Sequence, residues 1–228
     1  MNDGLYLLGT RLLLLPLRLR VVRTPLMVLA RVWLRHARIV SHLSRAGYDA
    51  VVDGGAGVGE FAALVRLALP RARLLCVEPH PPSAQVLRRR GFEVVEAALW
   101  SEEGESRMTQ PTPAATSCTL VGAESSGRPS WPVRTTRLDR LPLGGRRVLV
   151  KLDLQGAEPA ALAGMGDLWD RCAGLLLEVS YGPSGTYEAV RTLVAARGYA
   201  EAATLNELET DRGVVEADKL FVRRDTLG

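Results

Sequence analysis

Four stretches of the 228-residue chain run from apolar residues into a carboxylate: VVDGGAGVGE (51–60), CVEPHPP (76–82), VLVKLDLQGAE (148–158) and LLLEVS (175–180). A carboxylate can orient a polar ligand or take a proton from it, so Asp53, Glu78, Asp153 and Glu178 are the first candidates for chemistry. The first stretch adds a turn: Gly55, Gly57 and Gly59 alternate after Asp53, and a helical pattern starts at Glu60. Glycine there lets the backbone bend tightly and approach a ligand. Amides at the start of a helix then suit a carboxylate or a phosphate. Asp53, Gly55, Ala56, Gly57, Gly59 and Glu60 are therefore candidate cofactor contacts.

The spacing narrows the cofactor. A dinucleotide fold favours G-x-G-x-x-G. The D-x-G-x-G-x-G of this chain instead resembles the first motif of class I S-adenosylmethionine-dependent methyltransferases. That resemblance implies that Asp53 helps hold the methionine ammonium and that the loop passes beneath the homocysteine moiety. Glu78 lies 25 residues beyond Asp53 at the end of a second apolar run, where a carboxylate can accept hydrogen bonds from both ribose hydroxyls. Pro79 and His80 would flank the adenine ring, with Ala98 and Leu99 supplying the rest of that contact. His80 reads as a pocket wall rather than a base, and Trp100 suits a core position as well as a ligand contact.

VVDGGAGVGEF, CVEPHPPSAQVL and VLVKLDLQGAEPAALAGM, followed by LLLEVS, together resemble the FkbM-type methyltransferases over roughly residues 48–200. The characteristic tract of that family is a strand ending K-I-D-V-E-G-A-E. Lys151, Asp153, Gly156, Ala157 and Glu158 match it, and Gln155 stands where the family usually has its first Glu. The resemblance implies S-adenosyl-L-methionine as cofactor, S-adenosyl-L-homocysteine as product, and O-methylation of a hydroxyl on a small molecule, sugar, secondary metabolite or glycan. If the family Glu is structural, Gln155 can replace it through its amide oxygen. If it is an essential base, the exchange marks a chain that no longer methylates.

Methyl transfer needs an oxygen nucleophile held behind the methyl group, and an alcohol gains from a base during attack. Asp153 is the best-placed carboxylate, as a cofactor contact or as a catalytic residue, and Glu178 is the second catalytic candidate. Lys151 and Glu158 are expected to form an ion pair that fixes the turn. No metal is assigned, because carboxylates at strand ends are common in this fold without one.

These residues need a scaffold. From Tyr48 short apolar runs alternate with helical ones: strands at DAVVDGG, RLLCVEP, FEVVEAAL, RVLVKLD and GLLLEVS, and helices at EFAALVRLAL, PSAQVLRRRG, EPAALAGMGDLWDRC and TYEAVRTLVAARG. YAEAATL and KLFVRR could close the domain as an antiparallel pair. The pattern predicts a doubly wound, mostly parallel seven-stranded sheet of the Rossmann-like class I methyltransferase type over 48–228. Ligands in such sheets bind beyond the carboxyl ends of the strands, at the point where the strand order reverses. Residues 101–147 break the alternation, and a connection of that length is functional or internally structured. Short strands are expected near Ser106–Thr109 and Val133–Leu138, with a loose loop at Pro111–Pro132; Thr116–Leu120 is a candidate substrate-side wall.

The charge of +4 is uneven: residues 1–47 carry eight arginines against Asp3, a balance of +7 that leaves −3 on the rest. The basic footprint therefore lies outside the motifs, and no nucleic-acid partner is expected. LYLLGTRLLLLPLRLRVV is interrupted by Arg11, Arg18 and Arg20 before ~18 uninterrupted apolar residues accumulate, too few for a spanning helix. It also lacks a small-x-small cleavage site. A helix capped by Thr24, opened by Pro25 and ended by Gly47 places Leu29, Val32, His36, Ile39, Val40 and Leu43 on one side. Arg31, Arg35, Arg38 and Arg45 form a second stripe. Residues 1–47 thus form a basic amphipathic helical extension that could pack on the domain, cap its pocket, or touch a membrane surface or a protein partner. Cys76, Cys118 and Cys172 have no short spacing and fit a reducing cytoplasm. A homodimer is one of the assemblies the sequence leaves open. Two rival readings are a nicotinamide-dependent oxidoreductase, disfavoured by the glycine spacing, and a non-catalytic scaffold.

Overall fold

The computed structural model describes residues 39–109, 119–121, 130–211 and 213–226. The N-terminal extension up to residue 38, with Thr24, Pro25 and His36, lies outside the described residues, as does most of the loop expected at Pro111–Pro132. Residues 39–46 (α1) are helical and end at Gly47, with a φ of 64°.

Strands β1 (Ala50–Gly54), β2 (Arg73–Val77), β3 (Glu93–Val95), β8 (Val148–Leu152), β9 (Cys172–Ser180), β10 (Tyr199–Thr210) and β11 (Gly213–Arg223) form one sheet in the order β10-β11-β9-β8-β1-β2-β3. Six of the seven run in one direction; β11 runs opposite, pairing antiparallel with both β9 and β10. The last two strands are longer than the YAEAATL and KLFVRR runs suggest, because charged residues continue the ladder beyond the apolar ones.

Both faces are covered, so the central strands are apolar apart from Asp53 in β1 and Lys151 in β8, near their carboxyl ends. In β1 and β8, Ala50, Val52, Val148, Val150 and Leu152 pack with helices α4 (Glu158–Ala163), α5 (Leu168–Arg171) and α6 (Tyr187–Ala196). The intervening Val51 and Leu149 pack on the opposite face with Ile39 and Leu43 of α1 and Val65 of α2 (Glu60–Ala68). Helix α3 (Pro81–Arg89) covers β2 there through Leu87. The two-residue period of a strand therefore sorts each side chain to a layer.

Two boundaries differ from the sequence reading. FEVVEAAL is not one strand: Ala98–Leu99 (β4) leaves the main sheet and pairs with β7 (Ser130–Thr136). With β5 (Gly104–Thr109) and β6 (Thr119–Val121) they make a second sheet, β4-β7-β5-β6. Met108 and Val133 pack with Ala98, so the insertion has a small core of its own. EPAALAGMGDLWDRC is not one helix either. A side chain on Gly164 would overlap the carbonyl of Trp100, and Gly166 has a φ of 42° beside the Asp139 carboxylate, so the chain breaks between α4 and α5.

Candidate active site

The strand order reverses between β1 and β8, and the carboxyl ends of those two strands open a crevice. A cavity of about 540 Å³ fills it, within the range of small-molecule sites.

The glycine loop forms one wall. Gly55, Ala56 and Gly57 line the cavity with Glu60 at the start of α2. A side chain on Gly55, at φ 70°, would overlap the carbonyl oxygen of Asp153, so β8 passes too close for any other residue. Gly59 is turned away from the cavity, and a side chain there would meet Leu87 and Phe92 of the α3 layer. Its role is to let α2 approach that layer, not to touch a ligand.

Glu78 stands opposite, nearly buried. Its carboxylate accepts the backbone N–H of Gly57 at 2.7 Å and that of His80 at 2.9 Å, which binds the end of β2 to the loop. Burial pushes its carboxyl above the usual range, and those two N–H groups pull it back. Pro79, His80, Ala98 and Leu99 continue the wall. His80 Nδ1 lies 2.9 Å from Ser83 Oγ, and its ring sits 5.7 Å from that of Trp131 in the second sheet. Trp100 is off the cavity wall, where its carbonyl crowds Gly164.

Asp53 does not reach the cavity. Asp53 and Lys151 are register partners on adjacent strands and point to the same layer, where Asp53 is wholly buried. Its carboxylate makes an ion pair with Lys151 Nζ at 3.1 Å, off hydrogen-bond alignment. Burial pushes the Asp53 carboxyl up, and Lys151 pulls it down. Asp53 thus lies beneath the loop, off the cavity wall, and acts on the loop through Lys151. Lys151 also donates to the carbonyls of Gly55 (3.2 Å) and Gly54 (3.4 Å) and lies 3.6 Å from Asp153. Burial opposes its charge, yet the neighbouring Asp53 and Asp153 raise its pKa above that of a free lysine.

The expected Lys151–Glu158 ion pair is absent. Lys151 turns to Asp53 and Asp153, while Glu158 caps the turn after β8 by accepting the N–H groups of Leu154 (2.7 Å) and Gly156 (3.1 Å). Both residues are braces, but of separate parts.

Asp153 and Glu178 both line the far end of the cavity, and Gln155 joins them. Gln155 has a φ of 55°, the one positive value outside glycine among the described residues. Its Nε2 donates to Asp153 Oδ1 at 3.1 Å and to Glu178 Oε2 at 2.9 Å. Burial would raise the Asp153 carboxyl, but Lys151 and the hydrogen bonds from Glu178 and Gln155 hold it below the usual range. Burial and then repulsion from Asp153 push Glu178 up to about 9. The two shifts run in opposite directions, so the proton of the pair favours Glu178 and the charge favours Asp153.

The structure adds residues that the sequence did not single out. Asp218, opposite Glu178 in the β9–β11 ladder, lines the cavity, as does Ile39 of α1. Antiparallel register is not readable from one strand, so nothing in EADKLF announces Asp218.

Residues 53–200 match the methyltransferase FkbM domain. The chain belongs to the FkbM methyltransferase family. As a member it is an S-adenosylmethionine-dependent methyltransferase, and the nicotinamide reading gives way. Among solved structures, the chain is similar to a precorrin-6y C5,15-methyltransferase from Geobacter metallireducens GS-15 (16% identity, 82% of this chain and 86% of that one, TM-score 0.48). It is also similar to a TehB-like SAM-dependent methyltransferase from Corynebacterium glutamicum (9%, 83% and 88%, 0.48) and to the mitomycin 7-O-methyltransferase MmcR (14%, 82% and 53%, 0.44). These are distant likenesses, and the family assignment rests on the matched domain. No curated protein matches the sequence.

The crevice of this FkbM-family chain fits the cofactor. An ionised carboxylate offers about four acceptor sites. Two of those on Glu78 hold backbone N–H groups, which leaves two for the ribose hydroxyls. Gly57 faces open space, and a Cβ added there would meet nothing within 4 Å, so the loop leaves room along the wall. Among the described residues no cluster of acidic, histidine or cysteine side chains is arranged to hold a metal ion.

Proposed function

We propose that this FkbM-family methyltransferase methylates a hydroxyl group on a small molecule, sugar, secondary metabolite or glycan. The observation that carries the reading is the place of Asp153: a carboxyl about one-third exposed at the far end of the cofactor crevice, with Lys151 Nζ 3.6 Å away. When bound, S-adenosylmethionine supplies a methyl group on a sulfonium.

The chain's own residues do the rest. Glu78 and the Gly55–Gly57 loop hold the cofactor's ribose and backbone, with His80, Ala98 and Leu99 against the base. Asp153 accepts a hydrogen bond from the acceptor hydroxyl and takes its proton as the oxygen is alkylated. Lys151 depresses the basicity of Asp153, so orientation contributes more than proton affinity. Glu178, pushed up by burial and by Asp153, turns its proton toward Asp153 and is not a second base.

Residues 1–47 would serve as the contact to a membrane surface or a partner, in a protein working in the cytoplasm. No helix among the described residues is long and apolar enough to cross a membrane. Co-sedimentation with anionic liposomes, comparing the full chain with one starting at Arg35 so that Ile39 and Leu43 keep their places in the core, tests that role.

Calorimetry with S-adenosylhomocysteine tests the site. Micromolar binding is expected, and a full-length chain that gives no heat would sink the reading. Transfer of isotopically labelled methyl to a panel of alcohols and amines then tests the acceptor class; label appearing only on amines would overturn O-methylation.

A further inference from the structure

Gln155 is the residue that the reaction described above leaves without a role, and its geometry is costly. Non-glycine residues rarely adopt a φ of 55°, and a strained conformation persists only where the surroundings hold it. What holds it is the amide group. Both of its N–H bonds are used, one on Asp153 and one on Glu178. The nitrogen sits between two carboxyl oxygens at 3.1 and 2.9 Å, the place from which a cation would bridge them if both were ionised.

We propose that Gln155 is a positioning residue whose side-chain amide bridges Asp153 and Glu178 in the place of a cation, so that the acceptor end of this cavity is assembled without a divalent ion. The proposal deepens the hydroxyl-methylation reading and rests on it for which end of the cavity receives the acceptor. Two carboxyls facing one cavity repel unless something positive lies between them. Lys151 answers the charge of Asp153 from the glycine-loop side, at 3.6 Å. On the other side Glu178 has Asp218 and Glu216 of β11 as neighbours, and both are acidic. The amide hydrogens of Gln155 supply the positive ends of two dipoles there. A neutral donor is sufficient because Glu178 gives up its charge by keeping its proton.

A carboxylate at position 155 would change this arrangement. It would put three carboxyls around one point and remove both donors, which is the ligand set of a hard divalent cation. The experiment is Mn²⁺ binding, followed by electron paramagnetic resonance and by thermal unfolding, on the full-length wild type, Gln155→Glu, and Gln155→Glu with Asp153→Asn. The wild type is expected to bind no stoichiometric Mn²⁺ up to about 1 mM and to keep its melting temperature. Gln155→Glu is expected to take up one Mn²⁺ at least about tenfold more tightly and to be stabilised by it; the added Asp153→Asn is expected to abolish both effects.

Stoichiometric binding by the wild type that is lost on Asp153→Asn would overturn the proposal, because the amide would not then be standing in for the ion. So would a folded Gln155→Glu chain with no gain in binding. If Gln155→Glu does not fold, the wild type and its Asp153→Asn variant decide the matter alone. Binding of S-adenosylhomocysteine by the wild type is measured beside them. Its absence would defeat the methyltransferase site itself and leave the Mn²⁺ result intact.

Discussion

Lys151 Nζ stands 3.1 Å from Asp53 and 3.6 Å from Asp153, so a single buried ammonium serves two carboxylates on adjacent strands. One of these, Asp53, is sealed beneath the glycine loop, and the other faces the cavity. With Gln155 and Glu178 the line runs carboxylate, ammonium, carboxylate, amide, protonated carboxyl. Each member is next to a group of opposite or neutral character, which lets five polar groups share the end of a buried sheet.

Removing the ammonium breaks that line at its centre. Lys151→Met is expected to lower the unfolding free energy by about 3–5 kcal/mol, because an uncompensated carboxylate is left buried. Lys151→Met with Asp53→Leu is expected to recover part of the loss. Urea denaturation of the two variants checks this; a double variant less stable than the single one would count against the pairing.

Glu178 carries a pH signature. Its pKa is raised from the ordinary 4.5 of an unfolded chain to about 9 in the fold. Between those values the folded chain binds the proton and the unfolded chain does not, so stability falls as pH rises. The contribution is complete below about pH 4.5 and lost through pH 9. Glu178→Gln, neutral at every pH, is expected to flatten this slope, so that the variant gains on the wild type from pH 6 to pH 9. Melting temperatures across that range measure it, and parallel curves for the two chains would refute the shift.

Gly55 and Gly57 are both at positive φ, yet they are glycine for different reasons. A side chain on Gly55 strikes the backbone of Asp153, whereas one on Gly57 meets nothing within 4 Å. Gly57→Ala should therefore cost only the left-handed backbone, about 1–2 kcal/mol. Gly55→Ala should cost more and also reduce methyl transfer, since it displaces Asp153. Equal destabilisation of the two variants in denaturant would contradict the close approach.

How much of this was legible in the sequence depends on the range of the interaction. Local patterns were sufficient for the glycine turn, for the carboxylates at strand ends and for the alternation of strands and helices, because each is decided within about ten residues. The second sheet was only half visible. Ser106–Thr109 and Val133–Leu138 read as strands, but the recruitment of Ala98–Leu99 depends on pairing across the insertion. That Asp53 lies beneath the cavity wall was hidden for a related reason. The end of a strand says that a carboxylate is near the crevice, while the register Asp53↔Lys151 decides that it turns inward. Lys151 and Glu158 lie seven residues apart and suggested a pair, but a turn capped by Glu158 itself sends them in different directions. The bridge from Gln155 to Glu178 spans two strands and a left-handed residue, and no local pattern encodes it.

Glu78 offers the most direct test of the cofactor wall. Its carboxylate already accepts two backbone N–H groups, which fix its orientation before any ligand arrives. Hydrogen bonds to a charged group are each worth about 1.5–3 kcal/mol, against about 1 for neutral ones. Glu78→Gln keeps the shape but turns one acceptor oxygen into a donor that faces either Gly57 N–H or His80 N–H. It should therefore weaken S-adenosylhomocysteine binding by about 10–100-fold while leaving the far end of the cavity, at Asp153 and Gln155, in place. Calorimetry measures the affinity. An unchanged dissociation constant would move the ribose contact elsewhere on the wall and leave Glu78 as a brace between β2 and the glycine loop.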